Sequence, residues 1–276
     1  MRRGAGKLPS EVFSTTGSLA GRTVVVAGAS SGIGLATAIA FYDQGANVHA
    51  LARRKDIILK EAGQPRLESG RFVAHALDTT NQPAVAQTIA TIAEANDIDV
   101  LVYAAGLNAT RRRVADLSPE DWDAIVRVNL SGAFYVISAA LASLRARCGT
   151  VILISSASAR WTNVSGAAYQ ASKVGLLGLA RAAAYEEHEN GVRFSVVLPG
   201  VVDTPHLRHR DSPPSAQTLA AALMPEDVAG ACVFLAGLPA RAYVPEMILL
   251  PTLLQAPGKT DERSRAPRIS QSEAGI

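Results

Sequence analysis

Short β-branched apolar runs recur along this chain, separated by longer stretches in which apolar residues return every three or four positions. Read as strands, the runs are Thr23–Ala27, Asn47–Leu51, Phe72–Ala76, Val100–Tyr103, Val151–Ser155, Arg193–Leu198 and Met247–Leu250. Most are apolar at successive rather than alternate positions, the pattern of strands covered on both faces. Helical patterns lie between them. One begins at Ile33, and another opens at Ser118-Pro119-Glu120-Asp121, an N-cap serine followed by proline and first-turn carboxylates. A third runs from about Ala167 to His188, and a fourth opens at Pro225-Glu226-Asp227. Alternating strands and helices predict a parallel sheet with right-handed crossovers. The expected architecture is a single α/β domain over residues 19–256, a doubly wound sheet of about seven strands with helices on both faces. Residues 1–18 and 257–276 lack apolar periodicity and read as flexible tails.

Composition narrows the classes. A chain of 276 residues, 48% of them hydrophobic, can bury a substantial core. It contains no run of eighteen apolar residues, so no membrane span is expected. Met1-Arg2-Arg3 is not followed by the apolar segment of a secretory signal. Cys148 and Cys232 stand far apart in unrelated contexts, which argues against a disulfide framework or a metal site and fits a reducing cytoplasm. Of the net charge of +3, two units belong to residues 1–18 and one to 257–276, leaving 19–256 neutral. A folded basic face that could track phosphates is therefore not expected, nor is a nucleic-acid partner.

The first strand runs straight into Gly28-Ala29-Ser30-Ser31-Gly32-Ile33-Gly34, and a helix follows. Glycines at such a turn let backbone approach a pyrophosphate, and the helix N-terminus offers unpaired N–H groups with a partial positive charge. The second strand ends in Ala52-Arg53-Arg54-Lys55, where an NAD-binding domain would carry a carboxylate for the ribose 2′-hydroxyl. A guanidinium pairs bidentately with phosphate, so Arg53, with Arg54 beside it, points to NADP(H) in preference to NAD(H). The alternative for both arginines is a solvated surface loop.

Tyr169-Gln170-Ala171-Ser172-Lys173 places a phenol and an ammonium at i and i+4, on one helix face. A tyrosine is a poor base at neutral pH, and a nearby lysine favours its phenolate. The pair gains meaning from its setting: Ser156 stands at the end of the fifth strand, with Ser155 and Ser158 as rivals for a substrate hydroxyl contact.

Together these motifs resemble the short-chain dehydrogenase/reductase family. That family has the same G-x-x-x-G-x-G spacing, usually with Thr where this chain has Ala27, and a serine thirteen residues before its tyrosine, which selects Ser156. The resemblance covers about residues 19–250 and implies a Rossmann-type fold. It implies that Asn129, Ser156, Tyr169 and Lys173 are catalytic, with Asn129 holding a water that links the lysine to solvent. It further implies adenine contact at Asp78, close approach at Ala105 and Gly106, cofactor contact from Tyr169 and Lys173, the lysine on the nicotinamide ribose, and nicotinamide and diphosphate contacts from Pro199, Gly200, Val202 and Thr204. Tyr103-Ala104-Ala105-Gly106 departs from the family's Asn-Asn-Ala-Gly, and where many relatives have a glycine pair after the last strand this chain reads Val244-Pro245-Glu246-Met247-Ile248-Leu249-Leu250-Pro251-Thr252. The implied reaction is hydride transfer between a nicotinamide and a ketone or aldehyde, with Tyr169 as acid–base residue. NADPH makes reduction the expected direction. An epimerase or dehydratase on the same scaffold, or a non-catalytic nucleotide-sensing protein, is the alternative. Substrate contacts are expected from Ser158, from Trp161 as a pocket wall and from His206 in a lid over Pro205–Leu223. The Arg111-Arg112-Arg113 run reads as a solvated loop or, alternatively, an attractor of anionic substrate. Relatives pair through the helices that include Trp122 and Ala180, which implies a homodimer or homotetramer.

Overall fold

The computed structural model describes residues 17–161, 163–208 and 214–254. Over these the chain forms β1 (Thr23–Ala27), α1 (Gly32–Asp43), β2 (Asn47–Ala52), α2 (Lys55–Ala62), α3 (Gln64–Glu68), β3 (Phe72–Ala76), α4 (Gln82–Ala95) and β4 (Val100–Tyr103). There follow α5 (Pro119–Val126), a π-helical turn (Arg127–Ser131), α6 (Gly132–Ala146), β5 (Thr150–Ile154), a 3₁₀ turn (Ala157–Ala159), α7 (Ala167–Glu187) and β6 (Arg193–Pro199). The last elements are α8 (Pro205–Arg208), α9 (Ala216–Ala220), α10 (Pro225–Gly237) and β7 (Glu246–Leu249).

All seven strands are parallel, in the order β3-β2-β1-β4-β5-β6-β7. The doubly wound Rossmann-type sheet expected from the alternation is thus what the chain forms. Strand ends fall within a residue of the pattern. β5 closes at Ile154, yet the amide of Ser155 still donates to Val197 O at 2.8 Å, so pairing outlasts the strand by one residue.

Successive apolar residues serve the two faces in turn. On β1, Val24 and Val26 join a core with Ala38 and Phe41 of α1 and Val228 and Leu235 of α10. Val25 and Ala27 join the opposite core, with Ile89 of α4, Val136 and Leu144 of α6 and Leu176 of α7. That is why the strand is fully buried and reads as a continuous run.

Ser118 caps α5, its Oγ accepting from Asp121 N at 3.0 Å. The continuous helix from Pro119 to Ala146 is long and apolar enough, by length and composition alone, to cross a membrane. Its Ile125, Val136, Ala140 and Leu144 are instead buried inside the domain. The chain order reverses direction between β1 and β4, which opens a crevice at the strands' carboxyl ends.

Candidate active site

A cavity of about 720 Å³ occupies that crevice. At one end lies the turn after β1. Gly28 has φ +88°, and a Cβ there would fall 2.4 Å from Ala105 N; a Cβ on Gly34 would fall 2.2 Å from Gly28 O. Only glycine lets this turn fold back on itself and press against the end of β4. No side chain caps the N-terminus of α1, which opens at Gly32 toward the cavity. Such a terminus, with its unpaired N–H groups, is suited to an anion.

Arg53 and Arg54 line the same end, the Arg54 guanidinium 3.5 Å from Ser30 Oγ. Asp78 lies beside them. Partial desolvation pushes its carboxyl upward, but hydrogen bonds from Thr80 N (2.9 Å) and Thr80 Oγ1 (2.8 Å) and the Arg53 charge hold it below the usual carboxylate range.

At the other end α7 presents Tyr169 and Lys173. The lysine Nζ is buried, 5.6 Å from the Tyr169 ring centre, and donates to Ile154 O at 2.8 Å. Ser155 Oγ answers by donating to Lys173 O at 2.9 Å, so the end of β5 and the first turns of α7 are stapled from both sides. Burial lowers the Lys173 ammonium to about 8.

Asn129 sits behind this pair, fully buried in the π-helical turn. Its Nδ2 donates to Leu107 O (3.0 Å) and Ser172 Oγ (2.9 Å), and its Oδ1 accepts from Leu107 N (2.7 Å). Ser172 Oγ in turn donates to Tyr169 O at 2.8 Å. The amide therefore ties the loop after β4 to the helix that bears tyrosine and lysine. A Cβ placed on Gly106 would lie 3.6 Å from Lys173 Nζ and 3.8 Å from Asn129 Oδ1, so Gly106 is where the two groups converge.

π turns commonly mark functional sites, because widening the helix frees backbone groups from the regular ladder. Here Val128 O accepts from the phenol of Tyr103 at 2.5 Å, and that phenol lies 3.1 Å from Thr79 Oγ1. Burial raises the Tyr103 phenol well above its ordinary range, so it stays protonated and able to donate. Gly132 leaves room for it, since a Cβ there would stand 2.4 Å from the phenol oxygen.

Comparison with known proteins fits this geometry. The family model described as short chain dehydrogenase matches residues 22–214. The chain is 32% identical over 229 residues to the 3-oxoacyl-[acyl-carrier-protein] reductase of Thermotoga maritima, covering 79% of this chain and 91% of that one. Among solved structures it resembles a metagenomic short-chain oxidoreductase in complex with NADP, with a TM-score of 0.72, 32% identity and coverage of 86% and 100%. It also resembles an alcohol dehydrogenase from the archaeon Thermococcus sibiricus complexed with 5-hydroxy-NADP, with a TM-score of 0.75, 28% identity and coverage of 84% and 97%. The chain belongs to the short-chain dehydrogenase family.

In this short-chain dehydrogenase the motif residues fall around one space. Gly28, Ser30, Ser31, Gly32, Ile33 and Gly34 line the cavity at the first turn, and Arg53, Arg54 and Asp78 beside them. Ala105 and Gly106 line its floor, and Pro199, Gly200, Val202 and Thr204 the side beyond β6. Ser156, Tyr169 and Lys173 line the far end, whereas Asn129 lies behind the wall and reaches the site through Leu107 and Ser172. Ser155, a rival to Ser156, has its hydroxyl on Lys173 O.

Two residues expected to meet substrate do not line the cavity. Ser158 is buried, and its Oγ donates to Ser156 Oγ at 2.8 Å. Trp161 is exposed and lines no part of the cavity; the 3₁₀ turn, closed by Trp161 N donating to Ala157 O at 3.1 Å, carries it outward. Asn163, Val164 and Ser165 take that wall. The side chains of His206 and Arg208 and all of residues 209–213 of the expected lid lie outside the described residues. Arg112 is held in its loop, Nε donating to Ala109 O at 2.7 Å. The sequence reading missed Tyr103, Thr79, Leu250 and Leu254. A tyrosine where the family has asparagine, and the later Gly132 that makes space for it, was the available signal for the first two.

Proposed function

We propose that the protein is an NADP(H)-dependent carbonyl reductase, converting a ketone or aldehyde to an alcohol with Tyr169 as the acid. The observation that carries this reading is the continuity of one cavity, from the glycine turn with Ser30, Arg53 and Arg54 to Ser156, Tyr169 and Lys173. The site fits a dinucleotide: an uncapped helix terminus for the diphosphate, two guanidiniums for a 2′-phosphate, and Asp78 at the adenosine end. NADP-bound relatives of the same fold support the same cofactor.

Bound NADPH supplies the hydride that the carbonyl carbon receives. Ser156, oriented by Ser158, holds the carbonyl oxygen. Tyr169 gives that oxygen its phenolic proton, so the product is the neutral alcohol and the residue is left as phenolate. The Lys173 ammonium stabilises that phenolate until solvent returns the proton. Asn129 keeps the loop after β4 and the first turn of α7 in register. The long helices expose Trp122, Phe134, Val174 and Tyr185, a surface suited to the expected homo-oligomer.

The test is an NADPH-consumption screen over carbonyl compounds with Tyr169→Phe as control. Stoichiometric alcohol formation that the variant loses supports the reading. A variant as active as the wild type, or product formed without net NADPH consumption, overturns it.

A further inference from the structure

The helix that bears Tyr169 and Lys173 is opened by a glycine. Gly166 precedes α7 and, lacking a side chain, cannot cap it, yet Tyr169 stands three residues further on, in the first turn. First turns fray unless groups outside the helix hold them. Here the hold comes from the loop after β4, and it passes through Asn108.

Neither polar atom of the Asn108 side chain has a choice of role. Its Oδ1 accepts from Ala109 N at 2.9 Å and its Nδ2 donates to Ser165 O at 3.0 Å. A backbone donor and a backbone acceptor thus fix which way the amide faces. Ser165 is buried, so its carbonyl needs such a partner, and its N–H is used as well, on Asn163 Oδ1 at 2.9 Å. Gln170 Nε2 donates to Asn163 O at 3.1 Å and ties that residue to α7. Asn163, Val164, Ser165 and Tyr169 line the cavity; Asn108 does not.

The loop that carries Asn108 is itself anchored. Asn129 holds both backbone groups of Leu107, the residue before it. Ala109, the residue after it, is buried with Ile125 of α5 and Ala168 of α7 in a small apolar cluster. Gly166 passes the same loop so closely that a Cβ there would lie 2.5 Å from Arg112 O. Asn129 therefore grips the loop against the second turn of α7, through Ser172, and Asn108 grips it against the segment leading into the first.

We infer that Asn108 is a positioning residue for the reduction, an inference that rests on the carbonyl-reductase reading. It sets the wall at 163–165 and Tyr169 together against the loop after β4, so that a carbonyl seated on that wall meets the phenol within reach of its proton. A small misplacement of either costs rate. These bonds run among the loop after β4, the 163–165 segment and α7, whereas the glycine turn and Arg53 follow β1 and β2. Cofactor affinity is therefore untouched.

Asn108→Asp separates the two bonds. The new carboxylate can still accept from Ala109 N but sets an oxygen against Ser165 O. The assay uses the full chain, NADPH and ethyl acetoacetate as the probe ketone, or whichever carbonyl the screen above finds best. The kcat is expected to fall about tenfold while the Kd for NADPH stays within about twofold. Hydrogen–deuterium exchange should quicken about tenfold over residues 163–170 and stay unchanged over the π turn Arg127–Ser131. Should the Asp variant fail to fold, Asn108→Ser, too short to reach Ser165 O, is read in the same way. A variant that unfolds at a lower temperature but keeps the wild-type kcat per NADPH-binding site has lost a structural contact only, and the proposal falls. It falls too if Asn108→Asp matches the wild type in kcat and exchange, since the Ala109 bond alone would then account for the residue. If the wild type binds NADPH but reduces no carbonyl, the reductase reading falls and the role in reduction with it, while the exchange data still show whether Asn108 holds the segment.

Discussion

The two ends of the crevice are built on opposite principles. Around β1, β2 and β3 the cavity is made of backbone and surface charge. Glycine-28 to glycine-34 backbone, an uncapped helix terminus and the guanidiniums of Arg53 and Arg54 line it, and little of it is locked by neighbouring side chains. Around β4, β5 and α7 the polar groups are buried and bonded to one another: Asn129 to Leu107 and Ser172, Lys173 to Ile154, Ser155 to Lys173, Tyr103 to Val128. A ligand carrying its own charges can be gripped by exposed groups that pay little for desolvation. Proton transfer needs groups held in place in a water-poor setting, where each buried polar atom must have a partner. Substitutions at the first end should therefore change what binds, and those at the second should change rate and stability together.

Tyr169→Phe makes the sharpest break. Removing the proton donor is expected to lower kcat by about 10³-fold, while NADPH affinity, read by quenching of protein fluorescence, stays within about threefold because the phosphate end is untouched. A loss confined to cofactor affinity would erase the division between the ends. Arg53→Ala tests the other side. Loss of a charge-assisted pair with a 2′-phosphate is expected to weaken NADPH about 30-fold and NADH no more than about threefold, with kcat at saturating cofactor preserved. Equal losses for both dinucleotides would remove the argument for NADPH.

The contrast also explains what could be read from the sequence. At the first end the pattern is local: glycines within seven residues and arginines at one strand end can be picked out without the fold. The strands were legible for a similar reason, since full burial on both faces leaves continuous apolar runs. At the second end only the spacing from Ser156 to Tyr169 and Lys173 was visible, and it needed a family likeness to carry weight. Asn129 gave no local sign of the π turn, because its partners Leu107 and Ser172 lie 22 and 43 residues away. Trp161 was expected at a wall that Asn163, Val164 and Ser165 line, and the 3₁₀ turn Ala157–Ala159 that precedes it gave no local sign in the sequence. The stretch from Val244 to Thr252 stood out as a departure from the glycine pair of many relatives, but that Leu250 and Pro251 land over Gly200 depends on the fold.

Lys173 gives the comparison a pH signature. Its buried ammonium is lowered to about 8 in the folded chain, against an ordinary value of 10.5. Between those two values the unfolded chain holds a proton that the folded chain has released, so stability rises with pH through that window and levels off above it. Below pH 8 both states are protonated and the burial penalty is present in full. Lys173→Met abolishes the ionisation. Urea titrations should show the variant more stable than wild type by about 2 kcal/mol at pH 7, even with Ile154 O deprived of its donor, and the difference shrinking toward pH 10.5. Parallel curves would mean that the lysine is not desolvated. In the reductive assay, loss of the ammonium above pH 8 should lower kcat/KM, because the phenolate left by proton donation loses its stabilising charge.

The smallest expected effect tests how tightly the buried end is interlocked. Tyr103→Phe removes one oxygen and leaves the ring. Val128 O then loses its donor and Thr79 Oγ1 its partner, so the fold should lose about 1 kcal/mol. If Tyr103 acts only on stability, kcat will not change. If it holds the π turn that aims Asn129, kcat should fall a few-fold, by about 3-fold, with the KM for NADPH unmoved, because the slack reaches Tyr169 through Leu107 and Ser172 and not the phosphate end. Gly132 separates these outcomes from a general loosening. Gly132→Ala in the wild type puts a methyl 2.4 Å from the phenol oxygen and should be strongly destabilising. In the Tyr103→Phe background that oxygen is gone, and the nearest remaining atom is Thr79 Oγ1 at 3.0 Å, so the same substitution should cost less. A double-mutant cycle showing no coupling would mean that the phenol and the helix do not meet as described, and the buried end would then owe its order to the bonds of Asn129, Lys173 and Ser155.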